Sequence, residues 1–137
     1  MRSAGGKGTA DLTRASLVRP NLDDAVLRGT VVDDADLVKA SLYGVDALNA
    51  SVRETRLMGA SLIDVDFQGS DLSQTVVREK TFKVIVDEKT TFTGMSSTLF
   101  GPLQLIGREG RREIGGAGLK RWLRERGSDV RVLESRR

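Results

Sequence analysis

The sequence contains no cysteine and no histidine. Without cysteine the chain can form no disulfide and perform no thiol chemistry, and without histidine it lacks the commonest general base and metal ligand. No run of eighteen apolar residues is present, which excludes a transmembrane helix. The N-terminal MRSAGGKGT has no apolar core segment of the kind found in signal peptides. We therefore expect a cytoplasmic protein of one domain that does not associate with membranes.

Few groups of residues in the chain suggest catalysis. The segment GGKGT (5–9) lacks the Gly-Lys-Ser/Thr order of a phosphate-binding loop, and GGAG (115–118) is typical of a turn, although it could bind an anion at a helix start. The paired carboxylates at 23–24 and 33–34 are expected at solvent-facing corners, where nothing raises a pKa for acid–base work. We expect no enzyme activity, no cofactor and no bound metal.

An unbroken period of five dominates residues 12–77. Every fifth position is apolar, and seven of the fourteen residues that lie two before these positions are alanine. The fourteen apolar positions are Leu12, Leu17, Leu22, Leu27, Val32, Leu37, Leu42, Ala47, Val52, Leu57, Leu62, Phe67, Leu72 and Val77. A period of five fits neither a helix nor a simple strand.

The period can be explained by a short extended piece followed by a corner. If the apolar residue and the small residue two before it both point inward, three residues form extended chain. The remaining two residues must turn, and the second of them is often Gly, Asp or Asn, which tolerate turn dihedral angles. A unit this short can bury its apolar side chain only when further coils stack on it, so the pattern predicts a repeat protein.

Several units carry a recognisable motif. The strings ADLTR (10–14), ASLVR (15–19), ADLVK (35–39) and ASLYG (40–44) resemble the alanine-(aspartate or asparagine)-leucine-x-x motif of pentapeptide-repeat proteins, as do ASLID (60–64) and SDLSQ (70–74). The resemblance spans residues 10–79 and implies an all-β solenoid: a right-handed quadrilateral β-helix of about four coils, with four units per coil. On this arrangement Leu27, Ala47 and Phe67 share one face, and Phe67 is predicted to lean over the space left by Ala47.

The repeat decays before the C-terminus. Phe82 and Phe92 keep its phase, but Asp87 stands where leucine belongs, so Ile85 or Val86 is expected to replace it in the core. We therefore predict four segments: a flexible lead-in over 1–9, a regular β-helix over 10–79, a distorted last coil over 80–94, and a basic C-terminal cap over 95–137.

The predicted cap contains a short α-helix at about 116–126. Leu119, Trp122 and Leu123 share one face of this helix and are expected to pack over the last coil. Residues 10–79 carry a net charge of −5 and residues 95–137 a net charge of +5. The arginines of the tail are interleaved with glutamates, which favours a solvated face over an anion-binding patch, so nucleic acid is not an expected partner.

Two functional hypotheses remain. The first is a non-catalytic scaffold or protein–protein interaction module that binds another protein, or a second copy through a coil end. The second follows from the resemblance, since some pentapeptide-repeat proteins mimic DNA and bind type II topoisomerases such as gyrase, conferring quinolone resistance. The expected partner surface is an acidic corner formed by Asp24, Asp46, Asp64 and Asp66. Interrupting arginines, a short rod and a basic tail argue against the second hypothesis.

Overall fold

The computed structural model describes residues 11–15, 17 and 19–133. The predicted lead-in, 1–9, lies outside the described residues. The regular elements are β1 (Leu62–Asp66), β2 (Val76–Asp87), β3 (Ser96–Phe100), β4 (Leu103–Gly107), β5 (Gly110–Ile114), α1 (Gly116–Glu125) and β6 (Asp129–Leu133). No helix among the described residues has the length and apolar character needed to span a membrane.

The repeat region is held together by parallel pairing at an offset of twenty residues. Most of the short extended pieces form a single parallel bridge to the piece twenty residues later, so the bridged residues build columns up the fold. One such column consists of Asp11, Val31, Ser51, Asp71 and Thr91. Backbone N–H groups donate across the same steps, for example from Leu27 to Asp46 C=O at 2.7 Å. The described part of the chain is therefore a β-helix made mostly of strand-like pieces, with one α-helix.

The residues at the period of five form the core. From Leu27 onward all eleven of these positions are buried, none more than 7% exposed. Leu12, Leu17 and Leu22 are only partly buried and pack against the same cluster. Ala47 and Phe67 line one entirely apolar cavity of about 30 Å³, so the Phe67 ring leaves part of the space beside Ala47 open.

The corners adopt left-handed backbone at the second corner position. Gly44 has φ of 70°, and non-glycine residues there, such as Asp24 and Asp64, have φ of 60° and 59°. A four-residue hydrogen bond closes most of these turns, as from Thr30 N–H to Leu27 C=O at 3.0 Å. Glycine, Asp and Asn recur at this position because they tolerate positive φ at the lowest cost.

The last coil departs from the regular pattern within β2. The pairing of β1 with β2 shifts by one residue, so that Asp66 pairs with Ile85 at an offset of nineteen. This shift places Val86 in the core at 0% exposure, whereas Ile85 is half-buried. Asp87 avoids the core because its carboxylate accepts hydrogen bonds at the corner, from Gly69 N–H at 3.0 Å and Lys89 N–H at 2.9 Å.

The C-terminal segment covers the end of the β-helix. Strands β3 and β4 stack in parallel on successive parts of β2, β5 forms an antiparallel hairpin with β4, and β6 pairs in parallel with β3. The predicted helix, about 116–126, lies at Gly116–Glu125. The hairpin turns between Gly107 and Gly110, and Arg111 and Arg112 already pair with β4.

Candidate functional site

The four aspartates of the predicted partner surface lie around one corner. Asp46 and Asp66 are bridged neighbours in one column. Asp24 N–H donates to Tyr43 C=O at 2.8 Å, and Gly44 N–H donates to Ile63 C=O at 3.0 Å. Gly44 therefore lies between the coils that carry Asp24 and Asp64. A Cβ atom on Gly44 would approach Asp24 Oδ1 to 2.5 Å, so the absence of a side chain there leaves room for the Asp24 carboxylate.

Two of these carboxylates are already engaged. Asp46 Oδ2 accepts from Arg28 Nη2 at 2.7 Å and its Oδ1 accepts from Leu48 N–H at 3.2 Å. Although partial burial raises the pKa of Asp46, the hydrogen bonds from Arg28 and Leu48 outweigh it, and the net result is a lowered pKa. Asp66 accepts from the backbone and side-chain amides of Gln68 at 3.1 Å. The corner is therefore less negative than four free aspartates would make it.

The structure adds two apolar side chains that the sequence prediction missed. Val26 is 72% exposed and Tyr43, the only tyrosine of the chain, is 49% exposed. Val26 precedes Asp46 in its column. Tyr43 immediately precedes the corner at Gly44, and its N–H donates to Asp23 Oδ1 at 3.0 Å. We call this set the Tyr43 surface: Val26, Tyr43, Asp24, Asp46, Asp64 and Asp66. Its apolar members could have been found as large apolar residues at outward positions of the period.

The predicted cap residues are buried in the fold. Leu119 and Leu123 are fully buried and Trp122 is 8% exposed. The Trp122 ring meets Phe92 edge-on with 5.5 Å between centroids, and the Arg126 guanidinium lies 3.9 Å from the Trp122 ring centre. These contacts stabilise the end of the core and leave little of the apolar helix face for a partner.

The cap also borders two concave surfaces. One, of about 520 Å³, lies along the β4–β5 hairpin and is lined by Arg108, Arg111 and Arg112 together with Glu88 and Glu109. A second, of about 350 Å³, lies between β5 and α1 and also mixes arginine with glutamate. Mixed charge of this kind is typical of a solvated face.

The described residues offer no obvious centre for catalysis. Over 11–133, with 16 and 18 not described, no three His, Cys, Asp or Glu side chains form a group that could hold a metal ion. Among the described residues one carboxyl has a raised pKa: the hydrogen bond and the negative charge of Asp34 raise the pKa of Glu54. Both residues stand at exposed corners on adjacent coils, so the shift arises between two neighbouring carboxyl groups that face solvent.

Comparison with known proteins points to one family. A family model described as pentapeptide repeats matches residues 10–46 and 40–78, with eight copies. Among sixteen matching chains of solved structures is HetL, a pentapeptide repeat protein involved in heterocyst differentiation regulation from the cyanobacterium Nostoc sp. strain PCC 7120. The match has 15% identity and a TM-score of 0.21, and it covers 67% of this chain and 60% of the HetL chain. No curated protein matches the chain.

Proposed function

Because the chain belongs to the pentapeptide-repeat family, we propose that it is a non-catalytic scaffold that binds another protein through the Tyr43 surface. We propose further that its repeats wind into a right-handed quadrilateral β-helix of about four coils. The bridge offset of twenty residues supports four units of five per coil. Bridges that continue from Asp11 to Thr91 in one column support the number of coils.

The observation that carries this proposal is the exposure of Tyr43 beside Asp24 and Asp64. Tyrosine supplies a large, rigid and amphipathic contact at low cost in side-chain entropy, and it is enriched among the residues that dominate interface energies. Here the Tyr43 backbone bonds to Asp23 and Asp24 of one neighbouring coil, and the flanking Leu42 and Gly44 donate to the other coil. A rigid turn that presents tyrosine next to carboxylates suits a partner segment that combines basic and apolar side chains.

The ion pair between Arg28 and Asp46 favours this function over mimicry of DNA. A DNA mimic needs dense, regularly spaced negative charge, and Arg28 neutralises one of the four carboxylates while Asp66 is held by Gln68. A partner that inserts a few side chains around Tyr43 does not require a uniform negative field. We therefore expect gyrase supercoiling to be unaffected by the protein.

A capture experiment with paired variants tests the proposal. Wild-type protein, Tyr43→Ala and Arg53→Ala are used as baits in an extract of the native host, and the captured proteins are quantified by mass spectrometry. Arg53 is an exposed residue at a different corner and serves as the matched control. Loss of a central tyrosine is expected to weaken binding about thirtyfold or more. A partner held equally by all three baits would overturn the assignment of the surface.

Self-association through a coil end is the alternative to binding through the Tyr43 surface, and a measurement of mass against concentration distinguishes the two. Leu12, Leu17 and Leu22 of the first described coil are only partly buried. A mass that doubles with rising concentration, and that Tyr43→Ala leaves unchanged, would assign the interaction to a coil end instead of the Tyr43 surface.

A further inference from the structure

Three strands near the C-terminal end place two arginines on either side of a threonine. Arg78 of β2 pairs with Thr98 of β3, and Thr98 pairs with Arg131 of β6. Val77 and Val130, which precede the two arginines, are buried. Because side chains alternate along a strand, Arg78 and Arg131 point outward on the same face as Thr98.

A second set of side chains lies beside them, two residues earlier on the same strands. Ser96 of β3 pairs with Asp129 of β6 and also faces outward. The two arginines, the two hydroxyl residues and Asp129 line one concave surface of about 240 Å³. Neighbouring strands are about 4.8 Å apart, so the two arginine backbones are separated by roughly 10 Å. Long side chains at that spacing can converge on one small group above Thr98.

The charges of this surface are not paired internally. Within the part of the chain that the structure describes, Arg28 and Arg53 each form an ion pair, with Asp46 and Asp71. Neither Arg78 nor Arg131 lies within 4.0 Å of a described carboxylate oxygen, Asp129 included. Two guanidinium groups therefore face solvent beside hydroxyl groups that can donate to the same acceptor. Such a set of donors is the usual way in which proteins bind a phosphate group.

We propose that this surface binds a phosphate monoester group between Arg78 and Arg131, with Ser96 and Thr98 donating hydrogen bonds to it. Asp129 lies about 7 Å further along the strand from Arg131, as two residues of extended chain require. When the phosphate is part of a phosphorylated peptide, the Asp129 carboxylate accepts a hydrogen bond from an N–H group of that peptide. Free inorganic phosphate shares the oxyanion chemistry but has no such donor.

The test is a titration of the full chain, labelled with ¹⁵N and followed by amide chemical shifts. The two probes are inorganic phosphate and phosphoserine blocked at both ends, which separate a free ion from a phosphorylated protein as the source of the group. Saturable shifts centred on β2, β3 and β6 are expected. Arg78→Gln and Arg131→Gln are each expected to weaken binding about tenfold or more, because each removes a charge-assisted hydrogen bond. Arg78→Lys and Arg131→Lys should recover part of the loss.

Two further variants decide the outcome. Arg108→Gln, in the β4–β5 hairpin, removes the same charge elsewhere and should leave both affinities unchanged. Asp129→Asn is expected to tighten inorganic phosphate about threefold, because it removes a like charge roughly 8 Å away in water, and to reduce any advantage of blocked phosphoserine. Amide chemical shifts that never saturate with either probe would overturn the proposal. A loss of affinity in Arg108→Gln equal to that in Arg78→Gln would also overturn it.

Discussion

Replacing Phe67 by alanine tests how tightly the core of the β-helix is packed. Phe67 is 3% exposed and shares with Ala47 an apolar cavity of about 30 Å³. Removing a buried phenylalanine costs roughly 3–5 kcal/mol, which combines lost transfer energy with the energy of the void. At about 24 cal/mol per Å³ the existing cavity already costs about 0.7 kcal/mol. Because its lining residues lie on backbone that is bonded to neighbouring coils, the walls cannot collapse far, and we expect a loss near the top of the range.

The measurement is a denaturant titration of Phe67→Ala beside two companions. Val26→Ala, at a position 72% exposed, is the matched control and should change the free energy of unfolding by less than about 0.5 kcal/mol. Ala47→Val should add up to about 0.7 kcal/mol of stability by filling the cavity. The slope of free energy against denaturant should stay constant in all three. A Phe67→Ala loss below about 2 kcal/mol would refute the packing described for this face.

Three other predictions concern the corner, the ion pair and the cap. Gly44→Ala should cost more than about 1 kcal/mol by calorimetry, because it combines positive φ with a clash against Asp24, and an unchanged melting temperature would contradict this. Because the pKa of Asp46 is lowered, its contribution to stability is present above about pH 4 and is lost as the pH falls through the lowered value. Arg28→Gln should reduce this acid dependence, measured by urea titrations at several pH values. Identical profiles of stability against pH would exclude the Arg28–Asp46 ion pair as its cause. Leu119→Ala should cost roughly 2–5 kcal/mol, measured by tryptophan fluorescence during unfolding, and a loss under about 1 kcal/mol would show that the helix is not part of the core.

The repeat region was the part most open to prediction from the sequence, because its physical cause is local. Each unit of five contains its own inward side chain, its own small residue and its own corner, so the pattern can be found without knowing which units touch. For the same reason, the residue that takes the core position in place of Asp87 could be narrowed from the sequence to Ile85 or Val86. The choice between them required the register shift at β1 and β2, which depends on contacts between distant segments.

The surfaces were less predictable because they are assembled across the register. Arg78, Thr98 and Arg131 are twenty and thirty-three residues apart, and the second interval contains a hairpin and a helix that obey no period. In the sequence alone, each of these three residues is a polar residue that no pattern links to the other two. The acidic corner was located from the repeat, but its partial neutralisation depends on Arg28 reaching Asp46 across one coil.

Because one coil contains twenty residues, the length of the repeat region determines where the later residues lie relative to the earlier ones. An insertion of twenty residues within the repeats would lift the cap by about 4.8 Å and leave every outward column in line. An insertion of only five after Tyr43 would carry each later residue into the neighbouring column and turn the surface around Arg78 and Arg131 away from its present direction relative to Tyr43. Changes of length during evolution could therefore set separately the distance and the angle at which two bound partners are held.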